Sequence, residues 1–191
     1  MRWPPSLARD FPAPILFVQH IGAHPGELWK LVSASEGDLP QPGTIYIAPP
    51  DHHMLLDAQV IRLSRGPKER HARPAIDLLV RSAALHYESR AIGVVLTGML
   101  DDGSAGLWAI KEGGGAPVAQ DPADVYPPRM TQSALACVTA DHVVPLARLG
   151  SLLYDLACHG AAASSGLLQR PDRPARPASD SLRLLHPQGA G

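Results

Sequence analysis

Cysteine is scarce in this 191-residue sequence, with Cys137 and Cys158 its only two. Their number and spacing exclude a disulfide framework and a Cys-x-x-Cys zinc site, so they read as small apolar residues on helices in a reducing compartment. Long apolar runs are missing as well. No stretch approaches the ~20 residues of a membrane span, and Asp10 interrupts the N-terminus before a signal-peptide core can form. Charge of one sign is massed nowhere. The formal net charge is -1, with 17 basic and 18 acidic residues scattered along the chain, which argues against nucleic acid as the main partner. Phosphate and metal motifs are also absent: there is no Walker sequence and no His-Glu-x-x-His. Gly113-Gly114-Gly115 ends a helix and opens a strand, the reverse of a dinucleotide fingerprint, and reads as a helix C-cap. These absences predict a cytoplasmic protein with no membrane insertion, no nucleic-acid partner and no catalytic metal.

What is present is an apolar fraction of 45%, enough for one domain with a sizeable core. Strand-like runs recur at residues 15–18, 44–48, 60–63, 91–96, 116–119 and 142–145. Most are apolar throughout, the pattern of a parallel sheet covered on both faces. Between them, helices are predicted over residues 25–32, 74–87 with Pro74 in the first turn, 104–112, 130–137 and 146–158. Such alternation predicts an α/β fold: a doubly wound, mostly parallel sheet with flanking helices. Met54-Leu55-Leu56 and residues 59–63 are separated by a short polar break and read as an inserted β-hairpin. From Gly160 onward Pro, Ala, Ser and Arg dominate, which places the domain at residues 1–159 and a disordered tail or linker at 160–191.

Two segments carry the chemistry, Val18-Gln19-His20 and Thr97-Gly98-Met99-Leu100-Asp101-Asp102-Gly103. Each closes a buried strand, so a histidine and an aspartate emerge at the sheet edge where α/β proteins bind ligands. His20 is placed to act as a general base, and Asp102 to hold its imidazole ring in one tautomer. Bland readings stay open beside these: His20 as a satisfied histidine at a strand end, and Asp102 as a cap for backbone N–H groups. Asp101 is the weaker candidate for the orienting carboxylate. Backbone amides around Met99 to Asp102, at the start of the following helix, are candidate donors to an oxyanion. His52-His53 follows a Pro-Pro turn and reads as a loop lining the same edge rather than a metal-ligand pair.

Several motifs in series resemble the catalytic domain of chemotaxis protein-glutamate methylesterases, the CheB family. They are Ala13-Pro14-Ile15-Leu16-Phe17-Val18-Gln19-His20-Ile21, Pro42-Gly43-Thr44-Ile45-Tyr46-Ile47-Ala48-Pro49-Pro50-Asp51-His52-His53 and Arg73-Pro74-Ala75-Ile76-Asp77-Leu78-Leu79. The series continues with Gly93 through Gly103, residues 114–122 and Val143-Val144-Pro145-Leu146. The resemblance implies His20 as general base, Asp102 as its partner and Met99 as a contributor to the oxyanion site. It implies hydrolysis of γ-glutamyl methyl esters on the cytoplasmic helices of methylated chemoreceptors, with glutamine deamidation in some members and no cofactor. A receiver domain or a methyltransferase is the further partner class it suggests.

Departures from the family pattern accompany the match. The family carries its serine nucleophile in a Gly-x-Ser-x-Gly-Gly turn after its first, central strand, and the spacing would place both before Met1. No nucleophile in that context occurs in this sequence, and Ser6 in Trp3-Pro4-Pro5-Ser6 is a poor substitute. Residues 30–42 look compressed, and Met130-Thr131 stands where the family has Met-Pro. The function expected is therefore a methylesterase whose serine lies outside the chain. The alternatives are a non-catalytic receptor- or partner-binding module and an inactive remnant.

Overall fold

A computed structural model describes residues 11–19, 30–98 and 101–164. Two three-stranded parallel sheets and one antiparallel hairpin form its frame. The first sheet has the order β1-β3-β2, from β1 (Ile15–Phe17), β2 (Lys30–Ser33) and β3 (Thr44–Ile47). The second has the order β6-β7-β8, from β6 (Ile92–Val95), β7 (Ala116–Gln120) and β8 (His142–Val144). Between them in sequence comes the hairpin of β4 (His53–Asp57) and β5 (Val60–Ser64), in which Asp57 pairs with Val60 across a two-residue turn. The apolar runs thus become parallel strands, most deeply buried in β3 and β7 and half-buried in β1.

Four helices supply the cover. α1 (Ile76–Tyr87) packs with the hairpin and β3 around Tyr46, Met54, Ile61 and Leu79. α2 (Ser104–Glu112) and α3 (Arg129–Cys137) enclose Val95, Leu107, Met130 and Ala134. α4 (Leu146–Ser164) sets Leu149 and Leu153 against Phe11 and Val118. Burying each large side chain contributes about 1.5–3 kcal/mol, so these clusters hold the layers together. α1 and α2 approach closely at Gly106, where an added Cβ would lie 2.6 Å from the Val80 Cβ. Only a residue without a side chain fits there. The glycine triplet is a C-cap, as its sequence implied: the Gly113 N–H donates to the Ala109 carbonyl at 2.9 Å, and Gly114 takes φ +77°.

Two sequence expectations are corrected. The helix predicted over residues 25–32 gives way at its end to strand β2, while residues 25–29 lie outside the described residues. Lys30–Ser33 pairs with Thr44–Ile47, and Val32 packs on the first core cluster. A ladder of backbone hydrogen bonds overrides a weak local helical pattern in so short a segment. The last helix was expected to stop at Cys158 and a tail to begin at Gly160, but α4 continues to Ser164. Ala161-Ala162-Ala163 explains the extension, alanine being the strongest helix former. The remainder of the expected tail, residues 165–191, lies outside the described residues. Among the described residues no helix is long and apolar enough to cross a membrane.

Candidate active site

β1 leads through Val18 to Gln19, and β6 leads through Leu96 to Thr97 and Gly98. Gln19, Thr97, Gly98 and Asp102 all line one cavity, so the two strand ends open on a common edge. His20 and Met99, the expected base and oxyanion residue, lie outside the described residues, as does Ser6. Asp102 can be placed in detail. It is 2% exposed, and its carboxylate is clamped by the start of α1. The Ile76 N–H donates to Oδ2 at 2.7 Å and the Asp77 N–H to Oδ1 at 2.9 Å.

This geometry separates the two adjacent carboxylates that sequence alone left open. Asp101 is exposed and bound to the Arg70 guanidinium. Asp102 is buried and fixed by two backbone donors at a helix N-terminus, where negative charge is favoured. An ionised carboxylate offers about four lone-pair positions. Asp102 does cap backbone N–H groups, but those of α1 rather than of the helix it precedes. At the start of α2 it is Gly103 that turns the chain, with φ +95°.

A second carboxylate answers the first. Asp77, in the first turn of α1, accepts the Gly106 N–H of α2 at 2.7 Å, so each helix start is capped by an aspartate from the other's neighbourhood. Asp77 is 1% exposed, and its Oδ2 lies 3.4 Å from Arg70 Nε. Burial pushes its carboxyl above the usual range; the Gly106 N–H opposes that shift, and nearby Asp102 adds to the rise. A raised native value means that the folded state binds the proton more tightly than the unfolded chain. Asp77 therefore stabilises the fold relative to an uncharged amide on the acid side, and loses that advantage as pH rises through its raised value. Asp77→Asn should remove this dependence. Urea unfolding of both proteins from about pH 4 to about pH 8 checks it, and a stability difference that does not change with pH would refute it.

Sequence reasoning missed Asp77 and Arg70. Asp77 had a legible signal, an acid in the first turn after Pro74. Arg70 had none. It sits with His71 in a tight turn between Glu69 and Ala72, at φ +49° and +66°. Left-handed backbone costs a non-glycine residue about 1–2 kcal/mol, and here it aims the guanidinium at both Asp101 and Asp77. The turn is braced by an Arg81 to Glu69 ion pair.

The histidine pair departs from its expected role. His53 opens β4 and is 1% exposed; its Nδ1 accepts the Ala75 N–H at 3.2 Å, so its Nε2–H donates to the Pro67 carbonyl at 3.0 Å. His52 is held on the surface, accepting from Arg65 Nε at 2.9 Å. Neither lines the cavity at Asp102. Among the described residues no group of His, Cys, Asp and Glu could hold a metal ion. Ser104, the serine nearest Asp102 in sequence, is 3% exposed and unsuited to meet a protein substrate.

Residues 4–153 match the family model described as CheB methylesterase. A Leptospira interrogans protein provisionally named protein-glutamate methylesterase/protein-glutamine glutaminase is 36% identical over 163 residues, covering 80% of this chain and 84% of that protein. The protein-glutamate methylesterase FrzG of Myxococcus xanthus is 40% identical over 162 residues, covering 77% of this chain and 47% of FrzG. The chain therefore spans most of the first relative but about half of the second. The crystal structure of the Thermotoga maritima CheB methylesterase catalytic domain superposes with a TM-score of 0.73 at 34% identity. That superposition covers 81% of this chain and 89% of the other.

Proposed function

The chain belongs to the CheB methylesterase family, and from that membership we propose that it serves hydrolysis of glutamate γ-methyl esters on the cytoplasmic helices of chemoreceptors. The observation that carries the reading is the buried Asp102 carboxylate, anchored by two N–H groups beside the cavity that Gln19, Thr97 and Gly98 also line. In the proposed step a serine hydroxyl attacks the ester carbonyl while His20 takes its proton. Asp102 holds the imidazolium, and the Met99 backbone N–H donates to the oxyanion. The proton then passes from His20 to the departing methoxide, methanol leaves, and water cleaves the acyl-serine by the same route in reverse. Deamidation of a receptor glutamine follows the same path with ammonia as leaving group. The family's Gly-x-Ser-x-Gly-Gly turn does not occur in the sequence, so turnover requires a serine from outside these 191 residues. A receiver or methyltransferase domain is the further partner class.

The absent serine turn also supports a second reading, a module that binds receptor helices without cleaving ester. Methanol release from methylated receptor, measured on the protein isolated from its native cells with the chains that accompany it, separates the two. We expect release that His20→Ala abolishes. Receptor binding without release would replace the esterase reading with the binding module.

A further inference from the structure

A closed ring of contacts surrounds Asp102. Its Oδ1 accepts the Asp77 N–H at 2.9 Å, the Asp77 Oδ2 lies 3.4 Å from Arg70 Nε, and Arg70 Nη1 donates to the Asp101 Oδ2. The peptide bond from Asp101 to Asp102 completes the ring. Arg70 thus bridges the residue that precedes Asp102 in the chain and the residue whose N–H fixes its carboxylate. Arg81, the other cation that bears on Asp77, is committed to Glu69. The Arg70 guanidinium bears on all three carboxylates: the hydrogen bond to Asp101 raises its pKa above the ordinary arginine value, partial burial opposes the rise, and Asp77 and Asp102 add to it.

The surface half of this bridge contributes little stability. The Arg70 side chain is 41% exposed and that of Asp101 53%, and ion pairs at such exposure are weak. Two consecutive residues in left-handed backbone, Arg70 at φ +49° and His71 at φ +66°, cost more. The turn is nonetheless closed by reciprocal hydrogen bonds between Glu69 and Ala72, at 3.2 and 2.9 Å. Strain of this kind persists where surrounding structure enforces a geometry that function needs. Here the geometry is one of direction. The Asp102 carboxylate is held by N–H groups of α1, while its backbone belongs to the chain entering α2, so its angle follows from how the two helix starts are held together. Arg70 spans the same gap from outside. Its planar guanidinium can hold two carboxylates at a fixed separation, which a lysine ammonium cannot.

We infer that Arg70 is a positioning residue: by joining Asp101 to Asp77 it fixes the angle at which the Asp102 carboxylate is presented to the His20 imidazole. The inference rests on the pairing of His20 with Asp102 in the proposed reaction.

Titration of His20 by NMR, on the protein with the chains that accompany it in its native cells, tests this because charge and orientation act in opposite directions. An ionised, well-placed Asp102 raises the pH at which His20 titrates, so Asp102→Asn should lower it. Removing the Arg70 cation would by charge alone raise it, whereas losing the orientation of Asp102 lowers it. Arg70→Gln is expected to lower it by about 0.5 or more. Arg70→Lys keeps the charge and loses the fork, so it should also lower it, where charge alone predicts no change. In an Asp102→Asn background neither variant should lower it further. Exchange of the Ile76 and Asp77 amide hydrogens should quicken about tenfold relative to the amides of β7. If Arg70→Gln does not fold, Arg70→Lys carries the same test. A rise, no change, a fall that survives in the Asp102→Asn background, or exchange that quickens equally in β7 overturns the inference. So does a raised KM for methanol release at unchanged kcat, which would make Arg70 a substrate contact. A fall with Asp102→Asn but none with the Arg70 variants overturns the inference alone. No fall with Asp102→Asn overturns the His20 and Asp102 pair, and the inference with it.

Discussion

Asp102→Ala is expected to lower the unfolding free energy by about 2–4 kcal/mol. The variant loses a helix cap worth about 0.5–2 kcal/mol and leaves the Ile76 and Asp77 N–H groups without this acceptor. Asp102→Asn retains one acceptor oxygen and should lose less, a difference that urea unfolding will read. Catalysis should respond differently. In the native protein either replacement is expected to cut methanol release by about 10⁴-fold, the loss seen when the triad carboxylate of a serine protease becomes an amide. Asparagine therefore rescues stability but not turnover if Asp102 orients His20. Turnover that tracks stability across the two variants would leave Asp102 with a structural role alone.

His53→Ala is the second large effect, an expected loss of about 3–5 kcal/mol. His53 joins the hairpin to the start of α1 through Pro67 on one side and Ala75 on the other. Alanine would leave the buried Ala75 N–H unpaired, costing about 1–3 kcal/mol, and would open a cavity beside the fully buried Ala75, while the carbonyl of the exposed Pro67 turns to water. The denaturation midpoint should fall with little change in slope. His53→Gln keeps a donor and an acceptor and should recover part of the loss. A loss below about 1 kcal/mol for the alanine variant would show that the ring is not the tie between these elements.

Much of the fold was legible. Apolar runs in series with helical segments predicted the parallel strands, and α2 was expected and is found at Ser104–Glu112. The hairpin was visible because two β-forming segments stand only a turn apart. The segment at residues 30–33 was misread because its strand character comes from pairing with β3, a contact with no local trace. The end of α4 was misread because a shift toward Pro, Ala, Ser and Arg was weighted above the helix-forming alanines at its start.

At the site, the local chain alone determined that His20 and Asp102 each stand just after an apolar run, since strand propensity and apolar runs are properties of neighbouring residues. It also showed that the family's serine turn is missing. Tertiary structure alone decided which of Asp101 and Asp102 is the buried carboxylate, and how α1 begins. Ala75 at its N-cap has no side chain able to accept a hydrogen bond, so the first N–H groups of the helix are met from afar, by His53 and Asp102. The physical reason is common to both: hydrogen-bond satisfaction in a buried interior is settled by groups more than 20 residues apart, and no short-range pattern records it.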